Sequence, residues 1–72
     1  MDNLDRYDNL LKLITEEVEI DGKKYLLKEE FEKFFVKGNR TAATRIRKFM
    51  QLIKNESQDI RDSVQEYRKS LK

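Results

Sequence analysis

The apolar residues Ala43, Ile46, Met50, Ile53, Ile60, Val64, Tyr67 and Leu71 recur at steps of three and four, with Ser57 filling the one polar slot. Four heptads of this kind predict one continuous helix of roughly 43 Å at 1.5 Å per residue. A helix that long dominates a chain of 72 residues, which as a small domain buries only roughly 60% of the area it exposes unfolded. Phe49 and Leu52 widen the stripe at its N-terminal half, where the rest of the chain can cover it. The narrower C-terminal half needs a partner helix, most simply a second copy. A homodimer through Ile53, Ile60, Val64, Tyr67 and Leu71 is therefore expected.

Ahead of the seam, punctuation is sparse: the chain has no Pro, and its only Gly residues are Gly22 and Gly38. Leu4, Tyr7, Leu10, Leu11, Ile14 and Val18 recur at helical spacing, which predicts a first helix over about 3 to 16, capped by Asp2 or Asn3. From Val18 to Leu26 the pattern alternates around Asp21-Gly22, the pair that best tolerates the positive φ angles of a tight hairpin turn. With those two residues as the loop, Glu19 falls opposite Lys24 and Val18 opposite Tyr25, one charge pair outside and one apolar pair inside. The rival is a first helix that frays into a loop. Leu27, Phe31, Phe34 and Phe35 then predict a short second helix ended by Gly38, and Asn39 or Thr41 can cap the third. The fold expected is mainly α: helix, short β-hairpin, short helix, then one long C-terminal helix with coiled-coil character. It forms one domain over 1–72.

Charge is segregated along this plan. Residues 1–32 carry ten acids against five bases, and residues 33–72 carry eleven bases against four acids, although the net charge is only +2. From Lys33 to Lys54 there are seven bases and no acid. With Ala43 at heptad position a, Arg40, Arg47, Lys54, Arg61 and Arg68 all fall at position e, and Lys48 and Lys69 broaden the row at f. A rigid row of cations suits a phosphate backbone, where each neutralised phosphate releases counterions, and the planar fork of Arg grips phosphate oxygens in pairs. Two blander readings compete. Position e charges commonly pair with acids at g, where only Glu56 is acidic; and the acidic first half can fold over the basic second half and neutralise it.

Other chemistry finds little support. Without Cys or His there is no thiol, no disulfide and no usual zinc or haem ligand, so no catalytic residue, metal site or cofactor is expected. Glu16, Glu17, Glu19, Glu29, Glu30 and Glu32 read as solvated helix faces. Phe31, Phe34, Phe35 and Phe49 have the spacing of a core cluster rather than of base-stacking groups. Asn39-Arg40-Thr41 and Asn55-Glu56-Ser57 match the glycosylation sequon by chance. No apolar run reaches the roughly 18 residues of a membrane span, and an acidic start is the wrong flank for a secretory signal. A cytoplasmic protein is expected.

The run from Lys33 to Lys48, K-F-F-V-K-G-N-R-T-A-A-T-R-I-R-K, continuing through Ile60-Arg61 to Val64-Gln65, resembles the bacterial linker-histone-like proteins. These are small nucleoid proteins first known from chlamydiae. The resemblance covers about half of the chain and implies non-sequence-specific DNA binding and compaction in the nucleoid. It places Lys37, Arg40, Arg45, Arg47 and Lys48 at the family's basic positions. Together with Lys54 and Arg61 of the charged row, these are the candidate nucleic-acid contacts, for DNA in the first place and for RNA as a second polyanion. The competing class is a helical protein-interaction module, in which the seam recruits another helix and the charges only set the pairing.

Overall fold

The computed structural model describes residues 3–71. Its elements follow in the expected order: α1 (Asn3–Thr15), β1 (Val18–Ile20), β2 (Lys23–Tyr25), α2 (Leu27–Phe31), one π turn (Glu32–Val36) and α3 (Arg40–Ser70). The cap expected for α1 at Asp2 or Asn3 falls on side chains outside the described residues. At the hairpin, Asp21 and Gly22 both take positive φ, 52° and 84°, as a two-residue turn of this type requires. The register pairs Val18 with Tyr25 and Glu19 with Lys24.

The first half of the chain lies antiparallel along α3. Arg6 of α1 sits 4.0 Å from Asp59, Asp21 of the turn pairs with Lys48, and Glu30 of α2 pairs with Arg45. Ile20, Leu27 and Phe49 form the core, with Val18, Tyr25 and Ile53 packed against them. Phe49 is fully buried, and burying a side chain of that size is worth about 1.5–3 kcal/mol.

The aromatic cluster corrects the sequence reading. Phe49 alone of the four phenylalanines is buried, while Phe31 is 40% and Phe35 68% exposed. Their rings still gather, Phe31 on Phe35 at 5.4 Å and Phe34 edge-on to Phe35 at 4.8 Å, but they do so at the surface. The cause is the face that α2 turns inward. Leu27 and Glu30 are its buried residues, so Phe31, one residue and roughly 100° further round, points outward. The π turn then widens the spacing with an i→i−5 bond from the Lys37 N–H to the Glu32 carbonyl.

Gly38, at φ 71°, closes that turn, and the Asn39 N–H donates across it to the Lys33 carbonyl. Asn39 rather than Thr41 caps α3: its side-chain oxygen accepts from the N–H groups of Thr41 and Ala42 at 3.0 and 3.4 Å. Asn39→Ala is expected to cost about 1 kcal/mol, which thermal circular dichroism reads as a midpoint lowered by roughly 4–8 °C.

Candidate nucleic-acid interface

The way α3 is buried decides where its cations point. The two fully buried residues of α3 are Ala42 and Phe49, both at heptad position g, and the flanking d residues Ile46, Ile53 and Ile60 are half-buried. The helix is therefore covered along its g and d edge and not on the a and d seam that the heptad predicts. At 100° per residue, position e lies about 130° from the middle of that edge, just over a third of a turn. Arg40, Arg47, Lys54, Arg61 and Arg68 are accordingly all exposed, in one row at steps of about 10.5 Å.

These five make no ion pair among the described residues, and neither does Lys37, which is exposed just before Gly38. Other bases of the same stretch are engaged. Lys48 pairs with Asp21 of the hairpin turn, with both groups largely in solvent. Arg45 is held more tightly: its Nε donates to Glu30 Oε1, its guanidinium lies 4.6 Å over the centre of the Tyr25 ring, and its side chain is only 18% exposed. Lys33 adds a second contact to Glu30 at 3.2 Å. The acidic half thus neutralises Arg45, Lys33 and Lys48 and leaves the outward row untouched.

Glu30 itself was not legible as a buried group. It is 1% exposed, whereas its place among neighbouring glutamates suggested a solvated face. The usable signal is its position three residues after Leu27, on the side that Leu27 buries. Burial by itself raises the pKa of such a carboxyl; hydrogen bonds from Arg45 and Lys33, reinforced by their charges, more than offset this and hold it below its ordinary value. The same hydrogen bond raises the pKa of Arg45 further.

Among the residues expected to form a dimer, Ile53 packs against the core and Ile60 lines the groove beside α1. Val64, Tyr67 and Leu71 are more than half exposed. Glu56, the single acid at position g, is half-buried rather than in solvent opposite the cations, and its Oε1 has no hydrogen-bond partner.

An outward row of cations on a histidine-free and cysteine-free helical chain matches what a comparison with known families finds. The family described as histone H1-like protein Hc1 matches residues 5–70. This chain belongs to that family. The Hc1 family is one of structural DNA-binding proteins of the nucleoid, not of enzymes. The match takes in α1 and the hairpin as well as the basic stretch, so the acidic half is part of the family unit, beyond the half of the chain where the resemblance is readable by eye. No curated protein and no solved structure matches the chain. Among the described residues, no helix is long and apolar enough to cross a membrane.

Proposed function

We propose that this Hc1-family chain binds DNA in the nucleoid without sequence preference, through Lys37, Arg40, Arg47, Lys54 and Arg61 on phosphate oxygens. The observation that carries the reading is the exposed row along α3, whose cations are left unpaired by the acids of the first half. Duplex DNA carries one negative charge per roughly 1.7 Å of axis, so cations about 10.5 Å apart on a straight helix meet phosphate in any register. Contacts of this kind position a protein without reading bases.

Arg45 and Lys48 have a different share in this scheme. Arg45 holds α2 against α3 through Glu30, and so fixes the surface on which its neighbours stand. Lys48 is free to exchange the exposed Asp21 for a phosphate, because a surface pair of this sort is worth only about 0–1 kcal/mol.

The test is fluorescence anisotropy of a labelled random-sequence duplex over a series of salt concentrations, with an RNA hairpin as competitor. About four phosphates touched per copy give a slope of log K against log salt near −3.6, doubling for a dimer, with no change between sequences. No binding at low salt, or a slope near zero, overturns the proposal.

A further inference from the structure

The aromatic cluster that the core leaves out stands beside the cation row. Phe35 is 68% exposed and Val36, next to it, 79%. Phe34 meets Phe35 edge-on at 4.8 Å and Phe31 flanks it at 5.4 Å, so one outward ring is propped by two others. Both Phe34 and Phe35 belong to the π turn, a local geometry that recurs at functional sites. Contiguous apolar surface rimmed by charge is the mark of a place where something binds.

The surroundings say what binds there. Phe34 and Phe35 share a hollow of about 280 Å³ with Ala43, Ile46 and Arg47 of α3. Arg47 is a member of the outward row, and Ala43 stands between Arg40 and Arg47 along the axis, roughly 40–60° round from both. Lys37 follows Phe35 by two residues, and from Lys33 to Lys54 the chain has no acid. The rim is thus cationic throughout, which suits a polyanion. The volume is just under the roughly 300 Å³ at which pockets for small molecules begin, room for one flat ring system and not for a helix of another protein.

We infer that this platform stacks one unpaired nucleobase, so that the chain holds DNA more tightly where the duplex is opened than where it is fully paired. The inference rests on the row as the phosphate contact. A phosphate gripped by Arg47 brings its own nucleotide to the mouth of the hollow that Arg47 lines. In a paired duplex that base is locked in its stack, and drawing it out cancels the gain; in a mismatch or a single strand most of this cost is already met. Every base has a π face, so stacking on Phe35 is tolerant of sequence, in keeping with contacts that follow the backbone.

The test is fluorescence anisotropy with two labelled duplexes of equal length and charge, one fully paired and one with a short mismatched bubble. The row contributes equally to both. The bubble is expected to bind roughly 10-fold more tightly, near the low end for one base on one ring. Phe35→Leu keeps the apolar bulk and removes the π face; it should bring the bubble down to the affinity of the paired duplex, with the paired affinity and its salt slope unchanged. Phe35→Trp places a single Trp in a chain that has none, and its fluorescence should be quenched by the bubble and not by the paired duplex. That readout decides the matter if Phe35→Leu loses helix. Equal wild-type affinities overturn the inference and leave the row standing. A preference that survives Phe35→Leu also overturns it, since the flexibility of the mismatch then accounts for the difference. Absence of binding to either duplex removes the row, and the inference with it.

Discussion

Arg45→Ala is expected to destabilise the fold by about 3 kcal/mol, the lower end of what removing one partner from a buried ion pair costs. The cost arises because Glu30, 1% exposed, keeps its charge and loses its principal donor. Lys33, still 3.2 Å away, holds the figure at the lower end. A chain of 72 residues has on the order of 4–11 kcal/mol of stability in total, so thermal denaturation should show a midpoint at least roughly 12 °C lower. Glu30→Leu combined with Arg45→Met should recover most of the loss, since apolar groups of similar volume replace a buried pair at little cost. A single Arg45→Ala variant as stable as wild type excludes the pair as a structural element.

The same pair makes stability depend on pH, with a definite sign. Glu30 has its pKa lowered by folding, so its contribution is fully present above the ordinary value of 4.5 and is lost as pH falls through the lower, folded value. Wild type should lose stability in that acid window more steeply than the Glu30→Leu, Arg45→Met double variant. Parallel acid curves for the two proteins exclude this linkage.

Arg47→Glu together with Lys54→Glu should weaken DNA binding by roughly 100-fold, if each lost charge-assisted contact is worth about 1.5 kcal/mol. The salt slope should shrink by about 1.8 per copy, from two phosphates no longer neutralised. Helix content should not change, because both side chains are exposed and unpaired among the described residues. These two positions make a cleaner test than Arg45, whose reversal breaks the contact with Glu30 before any question of DNA arises. The Glu30→Leu, Arg45→Met variant completes the comparison: folded, with the outward row intact, it should bind within a few-fold of wild type. A large loss there, with Arg47→Glu and Lys54→Glu harmless, reassigns the interface from the row to Arg45.

Local features were legible because each rests on neighbours in the chain. The Asp21-Gly22 turn dictates its own register, since positive φ at two successive positions leaves one tight hairpin available. Gly38 and Asn39 end one helix and start the next for reasons contained in four residues. The basic row is legible for the same reason: residues seven apart share a helix face whatever packs behind it. By contrast, the heptad marks an apolar stripe without telling which edge a neighbour covers, so Ala42 and Phe49 at position g, and not Ala43, became the buried line.

By itself the sequence determined the order of elements, the hairpin register and the exposed row of cations, all of which follow from short-range geometry and the sign of charge. Only the tertiary structure decided that Glu30 would be buried, that Arg45 would serve it, that Phe31 and Phe35 would stay at the surface, and that α1 would take one edge of the seam. Those outcomes depend on which faces meet when the acidic half folds back along α3. A carboxylate can stand where an aromatic ring was expected because a guanidinium fifteen residues away in sequence arrives within bonding distance, and charge pairing across that span is invisible until the chain is folded.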